Sequence, residues 1–229
     1  MPGTTEPLVY QAVRAVGTLR PKIQPSSGRV FADHLDVRGT AFWLKDYKIL
    51  ITCSHVVQNL AVAPVEIAGL LVVGNRGNYQ RAMVGLVDFD HDLAVLHLPP
   101  DTQQQVIDAE AATGLEITDS YPTVSTEVAY AGFPLGEQLL NSTQAPTYAE
   151  GVVGAQLRDH GRRRDIQIAG AVIGGFSGSP VVLKSSNKVV GVLSNSPSRE
   201  AGTANIFMAV AWEHVKALAE MYKRNPLQL

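Results

Sequence analysis

The sequence predicts an all-β protein of sandwich or barrel type, and three observations predict it. Short runs rich in β-branched and aromatic residues recur along the chain. The 20 glycines and 13 prolines fall mostly between those runs, where turns need them. The strand–helix alternation of a parallel α/β fold is absent. At 229 residues the chain suffices for one large β domain or two small ones.

The first group of strands is expected at Gly39 to Leu44, Lys48 to Thr52, Val65 to Val73, Arg81 to Val87 and Leu93 to Leu98. The second is expected at Glu127 to Ala131, Tyr148 to Leu157, Asp165 to Ile173, Ser179 to Leu183, Lys188 to Ser194 and Ala204 to Val210. Between them, Pro99 to Pro122 opens Pro-Pro-Asp, turns polar through Gln103 to Gln105 and ends Asp-Ser-Tyr-Pro, and it reads as a linker. It is no Gly/Ser tether, so the two groups should pack together. One helix is clear, Ala211 to Arg224, where Val215, Leu218, Ala219 and Tyr222 form one apolar face. Lys223 and Arg224 near its end complement the helix dipole.

Composition narrows the function. Nineteen basic and 21 acidic side chains give a net charge of -2, without the basic excess of a dedicated nucleic-acid binder. The single cysteine, Cys53, allows no internal disulfide and no multi-thiolate zinc site. The longest apolar stretch, Ile168 to Phe176, has three glycines and is far too short for a membrane span. The first twenty residues hold no apolar run of signal-peptide length. The expectation is a cytoplasmic protein, acting without nucleic acid or membrane.

Three segments carry chemistry. In Leu50-Ile-Thr-Cys-Ser-His55 an apolar strand ends and a histidine follows. In Asp88-Phe-Asp90-His-Asp92-Leu-Ala-Val-Leu96 acids stand at the lip of an apolar strand. Gly174-Gly175-Phe176-Ser177-Gly178-Ser179-Pro180 leads straight into Val181-Val182-Leu183. A serine hydroxyl needs a base within reach and a group that orients the base. Histidine, acid, serine is one of the chain orders that build this arrangement. Glycines beside the serine let consecutive N–H groups converge on a developing oxyanion. The residues alone leave Asp88 and Asp90 beside Asp92, and Ser179 beside Ser177. Cys53 reads as a small buried residue. His34, His91, His97, His160 and His214 read as surface or packing residues, and Arg162-Arg163-Arg164 as a solvated hairpin tip. No metal-binding spacing appears, so no catalytic metal or other cofactor is expected.

Thr52-Cys-Ser-His55, Asp92-Leu-Ala-Val-Leu and Gly175-Phe-Ser177-Gly-Ser-Pro180 resemble the three signature segments of chymotrypsin/trypsin-like serine proteases. Gly39-Thr-Ala-Phe, Gly132-Phe-Pro-Leu-Gly136, Glu150-Gly-Val-Val and Val189-Val-Gly-Val-Leu-Ser194 resemble further elements of the bacterial high-temperature-requirement branch. That branch usually carries a PDZ domain after the protease, for which this sequence has no room. The resemblance implies two six-stranded antiparallel β-barrels with a C-terminal helix and the site between them. Residues 1–121 would hold the first barrel and linker with His55 and Asp92; residues 122–229 would hold the second barrel and helix with Ser177. It further implies Ser177 as nucleophile, His55 as general base, Asp92 as the orienting acid, and the N–H groups of Gly175 and Ser177 as oxyanion hole. It selects Asp92 over its neighbours and Ser177 over Ser179.

Ala171, Ser194, Asn195 and Ser196 match the substrate-binding segments of the family, with Asn205 and Phe207 on the far pocket wall. None is acidic, which predicts a small or medium apolar P1 residue. Phe176 stands where trypsin-type zymogens carry an aspartate that pairs with a newly cut N-terminus, so activity should not need that cut. The expected partner is a protein or peptide substrate; any regulatory partner is unidentified. Two other functions compete. One is a catalytically silent module of the same fold that binds peptides or proteins. The other is an α/β-hydrolase using Ser177, Glu200 and His214; it lacks the second elbow glycine and the alternating helices.

Overall fold

The computed structural model describes every residue except 1–5, 24–25, 28–29, 59–69, 74–78, 135–144, 159–163, 172–173, 196–205 and 226–229. The first strands are β1 (Val13–Ile23), β2 (Val30–Leu44), β3 (Ile49–Thr52), β4 (Leu70–Val73), β5 (Tyr79–Asp88) and β6 (Leu93–His97). They pair antiparallel in the order β1-β2-β3-β6-β5-β4, and β4 returns to β1 to close a barrel. The second set is β7 (Glu127–Gly132), β8 (Thr147–Arg158), β9 (Arg164–Gly170), β10 (Pro180–Leu183), β11 (Val189–Asn195) and β12 (Ile206–Ala211). These pair antiparallel in the order β10-β11-β12-β9-β8-β7, with β7 returning to β10.

Burial explains the pattern. Every residue of β3 is buried, as are Leu93 to Leu96 of β6, which sits beside it in the first barrel. In the second barrel, side chains of β7, β10 and β11 serve two faces. Val128, Tyr130, Val181 and Val190 fill the barrel, whereas Ala129, Ala131, Val182 and Val189 join a core continuous with the first barrel. The interface between barrels is thus continuous hydrophobic core.

Several elements escaped the sequence pattern. Strand β1 was not expected: Gly17, Pro21 and three basic residues interrupt its apolar run, and register shifts at Val16/Gly17 and Arg20/Pro21 absorb them. The segment read as a linker contains a helix, α3 (Gln104–Ala112). Only Val106, Ile107 and Ala111 of α3 reach the core, too few to show as a periodic face. Glu110 anchors it: its Oε2 accepts from Arg14 Nη2 at 2.6 Å and Nε at 3.0 Å, with the Arg14 side chain only 7% exposed. Two further short helices are α1 (Leu8–Ala12), which buries Val9 and Ala12, and α2 (Ser54–Gln58). Strand β4 covers the end of the expected run Val65 to Val73, whose residues 65–69 lie outside the described residues. The same is true of Ser196, Glu200, Asn205, His160, Arg162 and Arg163.

The terminal helix α4 (Trp212–Arg224) leaves the second barrel and lies on the first. Val215, Leu218 and Ala219 are buried there, and the Tyr222 ring stacks on His97 of β6 at 5.9 Å. Among the described residues no helix is long and apolar enough to cross a membrane. A second contact of α4 meets the turn that carries Asp92. The His214 ring stacks on His91 at 4.0 Å, and His91 Nδ1 lies 2.6 Å from Asp88 Oδ2. These histidines are therefore a paired contact that no sequence spacing marks.

Burial holds the His214 imidazole below its usual pKa, and the His91 ring adds to this; Glu213, Asp88 and Asp165 oppose it. The folded state thus favours neutral His214. The stability this represents is present above about pH 6.5, the unfolded value, and is lost as pH falls toward the lower folded value. Urea unfolding between pH 5 and 7.5 should show this loss, and His214→Gln should flatten it. An equal slope in both proteins would show that the stack carries no such linkage.

Candidate active site

Thr52 ends β3, and the chain turns at once into α2, which begins at Ser54. His55 therefore stands at the start of a short helix with its side chain 40% exposed toward the cleft. Asp92 ends the turn between β5 and β6 in a left-handed conformation, φ 55°, which aspartate tolerates better than most residues. His55 Nδ1 lies 2.8 Å from Asp92 Oδ2 and 3.0 Å from Oδ1. The His55 backbone N–H donates to Oδ1 at 3.0 Å.

Two hydroxyls complete the shell of this carboxylate. Ser54 Oγ donates to Oδ1 at 2.8 Å, and Ser194 Oγ, from β11 in the second barrel, donates to Oδ2 at 2.5 Å. Burial alone would raise the Asp92 pKa. The bonds from the His55 ring, Ser194 and the His55 N–H, with the imidazole's charge, outweigh it and hold the carboxyl well below the usual carboxylate range. Asp92 is thus ionised at any working pH. Asp88, the alternative acid, is engaged by His91.

Ser177 sits in the turn before β10, between two glycines of positive φ, Gly175 at 104° and Gly178 at 86°. Both need to be glycine. A Cβ on Gly175 would lie 2.3 Å from the Phe133 carbonyl oxygen, and one on Gly178 2.0 Å from that of Thr40. Phe176 between them buries its ring against Tyr130, edge to face at 5.6 Å. The Ser177 hydroxyl donates to the Ser194 carbonyl at 3.3 Å. Ser194 therefore contacts both Ser177 and Asp92, and links the serine turn to the His55–Asp92 pair. The N–H groups of Gly175 and Ser177 donate to no group among the described residues, and both belong to the serine turn.

The remaining candidates are less closely placed. Ala171 is exposed, and its carbonyl accepts from the buried Tyr130 hydroxyl at 2.9 Å. Asn195 is placed by its backbone at the end of β11. Phe207 is buried in the second barrel. Cys53 Sγ donates to the Leu193 carbonyl at 3.2 Å. Cys53, His55 and Asp92 offer metal-ligating atoms within 4.8 Å of one another, but both Asp92 oxygens already accept hydrogen bonds. That donor set suits an ionised carboxylate orienting an imidazole better than a cation cradle. The sequence did not mark Ser54 as a donor to Asp92, and it marked Ser194 only as part of a substrate-binding segment.

A model of the family described as trypsin-like peptidase domain matches residues 39–192. Among solved structures, the Rv3671c protease from M. tuberculosis in its active form is similar at 18% identity and a TM-score of 0.63, over 93% of this chain and 82% of its own. The HtrA-type protease AlgW with a decapeptide is similar at 19% identity and a TM-score of 0.69, over 94% of this chain and 65% of its own. At such identities the likeness speaks for the fold. No curated protein matches the sequence.

The serine turn gives a stability test. Gly178→Ala puts a side chain into a left-handed residue and against the Thr40 carbonyl. It should cost at least about 3 kcal/mol. For a chain of this size that is a fall in Tm of about 6–12 °C by calorimetry. A Tm within a degree of wild type would show that the turn relaxes freely.

Proposed function

This chain belongs to the trypsin-like peptidase domain family, and on that premise we propose that it is a serine endopeptidase acting through Ser177, His55 and Asp92. The observation that carries the reading is the bond pattern around Asp92. An ionised carboxylate takes His55 Nδ1 and leaves the opposite ring nitrogen, Nε2, to act as base. Ser177 Oγ attacks the scissile carbonyl and passes its proton to His55 Nε2. Asp92 holds the tautomer and stabilises the imidazolium. The oxyanion is received by the Gly175 and Ser177 N–H groups. Collapse of the tetrahedral intermediate expels the amine, which takes the proton from His55, and leaves an acyl-serine. Water repeats the sequence and frees the serine.

Substrate would lie along β11, whose residues Ser194 and Asn195 lead toward Ser196, with Ala171 at the pocket mouth. With no acid among these residues, cleavage after small or medium apolar residues is the supported specificity. Phe176, buried where an activating aspartate would stand, supports activity without N-terminal cleavage.

Intact mass after fluorophosphonate treatment tests the reading. Wild type should gain one adduct and Ser177→Ala none. Asp92→Asn should lower kcat by about 10⁴. Folded wild type without an adduct would favour a silent binding module instead. A peptide-library profile dominated by cleavage after Lys or Arg would overturn the specificity. Strict dependence of activity on a cut near the N-terminus would overturn the activation reading.

A further inference from the structure

Thr40 lies in β2 of the first barrel, in the segment whose pattern marked it only as a strand, and it is fully buried. Four of its hydrogen bonds bear on the site. Its N–H donates to the Ser177 carbonyl at 2.8 Å, and its Oγ1 donates to the Gly175 carbonyl at 2.9 Å. Oγ1 also accepts from the Phe133 N–H at 3.1 Å, and the Thr40 carbonyl accepts from Thr52 Oγ1 at 2.7 Å. Thr52 ends the strand that leads into His55. One residue of the first barrel therefore holds both ends of the serine turn and touches the segment that presents the base.

Oxyanion stabilisation depends on the direction of N–H groups, not merely on their presence. A glycine has no side chain to fix its peptide planes, and at φ 104° Gly175 is in a region that only outside contacts select. The Gly175 carbonyl accepts a side-chain bond from the Thr40 hydroxyl. The Ser177 carbonyl is held by the same residue. The held carbonyls lie in the peptide planes 175–176 and 177–178, so the plane that carries the Ser177 N–H sits between two fixed planes, and the plane that carries the Gly175 N–H adjoins one of them; the turn has little freedom to rotate either group. The approach is tight: a Cβ on Gly132 would lie 2.8 Å from Thr40 Oγ1.

We propose that Thr40 is a positioning residue for oxyanion stabilisation, its hydroxyl holding the turn 175–177 in the conformation that receives the developing negative charge. The inference rests on the reading of Ser177 as nucleophile, and it adds a residue outside the three that react. Thr40→Val keeps the shape and removes the hydroxyl; Thr40→Ser keeps the hydroxyl and removes the methyl.

The test uses the full chain with a peptide substrate, a peptide boronic acid as transition-state analogue, and melting curves. Thr40→Val should lower kcat about 10- to 100-fold with KM changed less than about threefold, since the lost interaction acts in the transition state. Boronate affinity should fall in step with kcat/KM. Thr40→Ser should stay within about threefold of wild type in each. Should the valine protein not fold, Thr40→Ala leaves room for a water to satisfy Phe133 and Gly175. It should still fall at least about tenfold below the serine variant in kcat. A folded valine or alanine variant with wild-type kcat, a change confined to KM, or a serine variant as impaired as valine would overturn the proposal. Wild type that neither turns over nor takes up fluorophosphonate would overturn the nucleophile assignment itself, and this inference with it, before any variant is made.

Discussion

The site depends on keeping one carboxylate charged although its side chain is largely withdrawn from water. Asp92 loses hydration to the fold, and a charge so placed is destabilising by several kcal/mol unless partners replace the water. Its partners come from separate segments: the Ser54 hydroxyl and His55 N–H from the start of α2, the His55 ring beside them, and the Ser194 hydroxyl from β11. One of these belongs to the second barrel. The charge is fully satisfied only when both barrels are folded and docked, so the chemistry of the site and the packing of the halves are one condition.

The packing meets that condition with apolar strands that face two ways. Along β7, β10 and β11, alternate side chains fill the second barrel and the space between barrels. Such strands read as continuous hydrophobic runs, with no polar face. Both ends of the chain reinforce the joint. Helix α1 lies before β1 with Val9 and Ala12 buried, and α4 runs from the second barrel to cover the first. Through His214 and His91, α4 also rests on the turn that ends in Asp92. The turn that carries Asp92 is thereby braced by α4 as well as by the bonds to its carboxylate.

How much of this was legible depended on the range over which each residue acts. The three segments around His55, Asp92 and Ser177 stood out because local neighbours do the work: a strand ending before His55, the apolar run after Asp92, the glycines that Ser177 needs on each side. Most strands showed for the same reason. Strand β1 did not, because bulges at Gly17 and Pro21 break its alternation while pairing continues across them. Helix α3 did not, because its three core residues make no periodic face, and the ion pairs that hold it, Arg14 to Glu110 across 96 residues and Lys48 to Asp108, come from distant segments. The hydroxyls of Ser54, Ser194 and Thr40 were silent on the same principle. Serine and threonine are common at strand ends, and what each bonds is decided only when distant strands meet.

The serine turn is held by contacts of the same long-range kind. A zymogen switch needs a carboxylate beside the nucleophile, free to meet an amine. Here Phe176 turns inward, its ring held by Tyr130 and its carbonyl accepting the Ser179 N–H at 2.9 Å. Gly178 N–H donates to Leu193 of β11, and Thr40 holds the carbonyls on either side of Phe176. Each anchor is a buried group already fixed by a barrel strand or by the turn itself. A turn secured in this way is ordered by folding, with a buried apolar ring and no carboxylate at position 176. Among the described residues the turn is thus held by Thr40 of β2, Tyr130 of β7 and Leu193 of β11, which makes its order a property of both barrels at once.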